Sequence, residues 1–155
     1  MRASENMGIV FVLKPADHQA GATGESIKMA KYRHITYILQ FGTVTGDAVL
    51  SVKSGATDGV ETTAETMHYR LADAEQGAAT ADTFGDWTNS TSLTLTAATY
   101  DNKTLIVELD SDELTDGQPW LTLALSAAAD ALNASVIALL CEPRYGAHDM
   151  PTAIA

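Results

Sequence analysis

Between residues 103 and 126, KTLIVELDSDELTDGQPWLTLALS, hydrophobic and polar positions alternate on both sides of a compact acidic connection. Leu105, Val107 and Leu109 alternate with Thr104, Ile106 and Glu108, and Leu121, Leu123 and Leu125 alternate with Trp120, Thr122, Ala124 and Ser126. A period of two sends successive side chains to opposite faces of a sheet, so each leucine and valine set belongs to one buried face. The pattern recurs. Ile35, Tyr37, Leu39 and Phe41 share a face of residues 34–41, Ala48, Leu50 and Val52 share a face of 47–54, and Met67, Tyr69 and Leu71 alternate in 67–72. Leu93 and Leu95 alternate with threonines in 92–97, and residues 26–29 read as one more short strand. The segments 34–41 and 47–54 read as a hairpin across a Thr/Gly turn. Two runs are apolar on both faces, GIVFVL at 8–13 and ASVIALLC at 134–141. Such runs predict strands covered on both sides, the second of them central in its sheet.

Turn formers punctuate these segments. Residues 14–24, KPADHQAGATG, predict a loop, because Pro15 would remove a ladder hydrogen bond from any strand continuing there. Residues 55–66 and 73–82 are polar and alanine-rich, two excursions that are long for a compact domain. Long ordered loops tend to carry function or meet partners. Helical periodicity is poor, with one turn expected at 128–132, and no internal repeat is visible. The expectation is an all-β chain, a two-sheet, jelly-roll-like β-sandwich of about nine short strands. One domain at 8–145 would carry an N-terminal arm, 1–7, and a C-terminal tail, 146–155.

Composition sharpens the functional side of this picture. Hydrophobic residues make up 46 % of 155, enough for a core. Nine Lys plus Arg face 20 Asp plus Glu, a net of −11. That balance argues against nucleic acid and against anionic membranes as partners, since both are held by clustered cations. It suits a soluble protein resisting nonspecific association. No run approaches transmembrane length and nothing reads as a secretory signal, so synthesis in a cytoplasm is expected. The single cysteine, Cys141, has no internal disulfide partner and reads as a small core residue.

Candidate chemistry is sparse. Asp110, Asp112, Glu113 and Asp116 invite a calcium reading, but Gly117 and Leu121 stand out of place for an EF-hand. The favoured alternative is a tight corner where Asp110 or Ser111 caps a helical turn and Leu114 plugs the core. His18, His34, His68 and His148 are scattered without metal-ligand spacing and read as surface histidines. Neither a nucleophile elbow nor a phosphate-cradling glycine loop occurs, so no catalytic residue, metal or cofactor is assigned. Trp87 and Trp120, with Tyr69 and Tyr100, invite a sugar-stacking platform, with core or interface filling as the favoured reading.

Three stretches carry a resemblance: VFVLKPADHQAGATGESIKMAKYRHITYILQFG near the start, IVELDSDELTDGQPWLTLALS, and the ending ASVIALLCEPRYG with Pro143, Arg144 and Tyr145. In these the chain resembles a group of small structural proteins of tailed phages and prophages, departing from it mainly in the Thr/Ala-rich loops between residues 55 and 82. The resemblance implies a capsid decoration, or cement, protein: a non-enzymatic β-sandwich on the outside of the virion, bound to the major capsid protein and arranged as a homotrimer. A tail, neck or head-fibre component, and a carbohydrate-binding β-sandwich module, are the competing expectations.

Overall fold

The computed structural model describes residues 6–144 and 152–154. Two antiparallel sheets face each other. Sheet A runs β1 (Gly8–Asp17), β12 (Leu132–Pro143), β4 (Tyr32–Val44), β10 (Thr104–Asp110), β7 (Met67–Leu71) and β8 (Thr88–Ser90). Sheet B runs β2 (Ala22–Thr23), β11 (Trp120–Leu125), β5 (Ala48–Gly55) and β6 (Thr63–Ala64), with β3 (Ile27–Lys28) also paired to β11 and β9 (Leu93–Leu95) to β5.

The wiring is that of a jelly roll. Four antiparallel pairings, β1 with β12, β2 and β3 with β11, β4 with β10, and β5 with β9, fold the chain's two halves onto each other. Rolling that double strip sends alternate pairs to opposite sheets, which is the eight-strand jelly-roll order. The excursion between β5 and β9 is the elaboration. It adds β6 to sheet B and extends sheet A beyond β10 by β7 and β8.

Period-two alternation produces the core as expected. Ile35, Tyr37, Leu39 and Phe41 from β4, Leu105, Val107 and Leu109 from β10, and Val136, Ala138 and Leu140 from β12 line the inner face of sheet A. Leu121, Leu123 and Leu125 of β11 face Leu50 and Val52 of β5 across the register and line sheet B. Each fully buried aliphatic or aromatic side chain contributes roughly 1.5–3 kcal/mol relative to exposure, so these two leucine-rich layers hold the sheets together.

Four expectations are corrected. The segments 34–41 and 47–54 do not form a hairpin: β4 belongs to sheet A and β5 to sheet B. The intervening turn is tied to the far strand's approach, with the Thr45 and Gly46 amides both donating to Ala131 O at 2.9 and 3.3 Å. A Cβ at Gly46 would fall 2.4 Å from Asp130 N, so only glycine lets the chain cross there. The run 8–13 is an edge strand, covered on one face, because β12 is its neighbour in the sheet and the opposite flank receives the Glu25 amide at Val12 O, 3.2 Å away. Ile9 and Phe11 are therefore 45 % and 76 % exposed. The strand also continues past Pro15 to Asp17, with irregularities between Phe11 and Leu13 and between Leu13 and Ala16, which an edge tolerates. The helical turn lies not at 128–132 but at α1 (Ala97–Tyr100), whose buried Tyr100 ring meets Phe41 edge-on at 5.9 Å. The expected two-sheet sandwich of about nine strands stands, with twelve among the described residues, the additions being pieces of two or three residues.

Residues 152–154 lie against the body of the sandwich. Ala153 is buried, its carbonyl accepting the Lys28 amide at 2.7 Å, and Lys31 Nζ donates to Thr152 O at 2.6 Å.

Candidate functional site

Sheet A buries one face and, among the described residues, leaves the other without a covering layer. Directly opposed residues in antiparallel strands point to the same side. The outward positions therefore line up in rows across the sheet. One row runs Ile9, Leu139, Thr36, Glu108, His68, Asn89, taking one residue from each of the six strands. The next runs Phe11, Ile137, Ile38, Ile106, Arg70. A third brings Cys141, His34 and Asp110 together. The face thus has an apolar stripe at its β1 side and centre and a polar, acidic quarter at its β7 and β8 side.

The acidic quarter is a cleft of about 220 Å³ lined by His34, His68, Trp87, Glu108, Leu109, Asp110 and Glu113. His34 Nδ1 lies 2.6 Å from Asp110 Oδ1, and its Nε2 lies 3.8 Å from Glu108 Oε2. The Thr36 hydroxyl donates to Glu108 Oε1 at 3.3 Å. His68 Nδ1 and Nε2 each face an acceptor at 2.7 Å, Asn89 Oδ1 on one side and Glu113 Oε1 on the other. Both nitrogens can donate only in the imidazolium form. Those hydrogen bonds, to Asn89 first and Glu113 second, hold the His68 pKa above the ordinary histidine value against partial burial.

Next to this cleft the Arg70 guanidinium is sandwiched between two rings, 5.2 Å from the Phe84 centroid and 4.6 Å from the Trp87 centroid. Cation–π attraction fixes Arg70 and stands Trp87 up at the sheet's rim, 45 % exposed. Trp120 lies on sheet B with Lys28 Nζ 5.5 Å from its ring, Tyr69 is half-buried and Tyr100 buried, so the four aromatics named from sequence do not meet in a platform.

The acidic corner folds differently from the capped helical turn expected of it. Glu113, not Asp110 or Ser111, supplies the side-chain cap, its Oε2 accepting the Asp110 amide at 2.9 Å. Ser111 N donates to Arg33 O at 2.7 Å and Thr115 N to Glu65 Oε1 at 2.8 Å, so the corner is tied to both sheets. Leu114 packs against the core, half-buried. Among the described residues no group of three His, Cys, Asp or Glu side chains is placed to hold a metal ion. His34 and His68 lie on the outward faces of their strands as expected. His18 is instead buried, because the chain after β1 folds over the end of the sandwich, its amide bonded to Leu132 O at 2.8 Å and its Nε2 3.1 Å from Lys14 O. His148 lies outside the described residues. Cys141 is not a core residue: it sits half-buried on the outward face opposite His34, and burial pushes its thiol pKa up, away from the thiolate a nucleophile needs.

Thr36, His34 and Asp110 follow one another at 3.3 and 2.6 Å in the order of nucleophile, base and acid. Thr36 sits mid-strand with ladders to β10 and β12 on either side, so the neighbouring amides are committed to strand pairing rather than aimed at a substrate oxygen. The arrangement suits surface ion pairing better than acyl transfer. Sequence reasoning named each titratable member of the cleft separately but missed the cleft, which needs four strand registers and the corner after β10.

No protein-family model matches this chain, and no curated protein matches it significantly. Among solved structures it is similar to the SPBc2 prophage-derived protein YomS, with a TM-score of 0.52 and 11 % identity, over 86 % of this chain and 93 % of that one. A structure of Desmodium yellow mottle tymovirus aligns over 91 % of each chain with 13 % identity, at a TM-score of 0.34. At such identities, the YomS likeness speaks to the fold: this chain shares its β-sandwich arrangement with a prophage-derived protein.

Proposed function

We propose that this chain is a non-enzymatic structural protein of a tailed-phage virion, a decoration protein that binds the outside of the major capsid shell and stiffens it. The observation that carries the reading is the likeness of this jelly-roll β-sandwich, over most of both chains, to the structure of a prophage-derived protein. Surface chemistry supports it. A net charge of −11 keeps a densely displayed protein soluble and makes it a poor ligand for the packaged nucleic acid. The polar cleft is knit by ion pairs and hydrogen bonds rather than arranged around a reactive group. The mechanism is multivalent: modest contacts, repeated by the symmetry of the shell and reinforced by association into homotrimers, sum to a stabilised particle.

The test is the molar ratio of this protein to the major shell protein in gradient-purified particles. A ratio near one, or a simple fraction of it, is expected. A few copies per particle would assign the protein to the neck, tail or fibre instead, and absence from the particle would overturn the virion reading. Shells stripped of the protein should also lose integrity at lower temperature than coated ones.

A further inference from the structure

We infer that the outward face of sheet A is the docking surface of this protein, and that its occupant is a protein surface carrying apolar side chains bordered by lysine or arginine. This rests on the shell-binding reading above, in which the occupant is the major shell protein, and goes beyond it by naming the face and the chemistry it recognises. The stripe Phe11, Ile137, Ile38 and Ile106 lies in one register across four neighbouring strands, with Ile9 and Leu139 beside it. Four strands occupy roughly 19 Å at the usual strand spacing and adjacent rows lie about 7 Å apart, so the stripe with Ile9 and Leu139 covers about 200 Å². Phe11 and Ile9 stand exposed at its β1 end, and the isoleucines and Leu139 are half-buried, one contiguous apolar strip of the kind that marks an interaction site. It is also smaller than the roughly 800 Å² per partner of a standard stable interface, which fits a contact strengthened by repetition.

Charge decides the occupant. Glu108 stands in the row beside the stripe, with Asp110 in the row after it and Glu113 across the cleft, whereas the row on the stripe's other side, Ser135, Gln40 and Thr104, is uncharged. Among the outward positions of these rows the permanent cation is Arg70, already held between Phe84 and Trp87, while His34 and His68 are already paired to Asp110 and Glu113. Two copies packed face to face about an axis along the stripe would set the carboxylates against the uncharged row. Packed about an axis along the strands, they would set Glu108 against the apolar Ile9. Either way two faces of chains that each carry a net of −11 would meet with His34 and His68, already paired to Asp110 and Glu113, as the local counter-charge, which is costly. A partner that brings its own lysine or arginine satisfies the carboxylates and gains orientation from it.

The experiment uses the full chain and purified expanded shells lacking it, with binding read by co-sedimentation at two salt concentrations. Phe11→Ser is expected to keep the wild-type melting curve, because Phe11 is 76 % exposed, and to weaken binding roughly ten-fold or more, the worth of burying one aromatic side chain. The double variant Glu108→Gln, Glu113→Gln is expected to weaken binding and to flatten its salt dependence. Val49→Ser, on the outward face of sheet B, is expected to bind as wild type. Wild-type binding that is indifferent to the sheet A variants, or lost in Val49→Ser, overturns the inference and leaves the shell reading standing. Failure of the wild-type chain to bind shells removes both. Self-association of the isolated chain that Phe11→Ser abolishes would make a second copy the occupant and overturn the choice of partner.

Discussion

Tyr37 and His68 show how burial and partners set the worth of single residues. Tyr37 is fully buried on β4, where burial pushes the phenol pKa far above its ordinary value, and its hydroxyl has no hydrogen-bond partner among the described residues. An unpaired buried hydroxyl carries a desolvation cost that phenylalanine avoids. Tyr37→Phe should therefore stabilise the protein, by about 1 kcal/mol in urea unfolding, and a comparable loss would mean that the hydroxyl has found a partner. His68 works in the opposite direction, because both its nitrogens face acceptors. Its folded pKa is raised, so its contribution is complete below the unfolded value of about 6.5 and is lost as pH rises through the folded pKa. The stability difference between wild type and His68→Gln should be largest in mildly acidic solution and shrink above that folded pKa. An NMR titration midpoint for His68 below that of an unfolded-chain histidine would contradict this. The inward set of β4 was legible because strand periodicity depends on sequence neighbours alone. The pairs His34 with Asp110 and His68 with Glu113, 76 and 45 residues apart, were not, because their approach depends on which strands become neighbours.

Among the elements, β5 and the corner between β10 and β11 depend on one buried carboxylate. Glu65, just beyond β6, is 6 % exposed and accepts the Ser54 hydroxyl and the Thr115 amide, the latter at 2.8 Å. Ser54 also lies 2.8 Å from Gln118 Oε1, so strand, excursion and corner share one polar node. Removing the carboxylate leaves the half-buried Thr115 amide without its acceptor and Ser54 with Gln118 alone. Glu65→Ala should cost roughly 2–3 kcal/mol and loosen the corner, seen as faster amide exchange at Thr115. Conventional exchange at Thr115 in the variant would show that Leu114 packing alone holds the corner. Edge strand β1 gives the complementary lesson. Its doubly apolar sequence predicts cover on both faces, yet it lies at the margin with Phe11 in the open. A mismatch between apolar pattern and exposure is the reason to look for a partner there.

For the whole molecule, the jelly roll makes the chain's ends meet. Residues Gly8 to Asp17 pair with Leu140 to Asn133, so sheet A is completed only when distant segments find one another. Closing such loops precedes most of the stabilising burial, which makes non-local β topologies slow to fold. Refolding from urea should take milliseconds to seconds or longer by stopped-flow fluorescence, and complete recovery within a fraction of a millisecond would contradict the topology. The sequence by itself determined the class of fold, the inward residues of the main strands and the acidic surface, because alternation and charge are properties of neighbouring positions. Only the tertiary structure decided that β4 and β5 lie in opposite sheets, that the excursion between β5 and β9 widens sheet A, and that four separated strands build one apolar stripe beside one acidic cleft. Those outcomes follow from strand order and register, which depend on how the whole chain can roll its buried faces together.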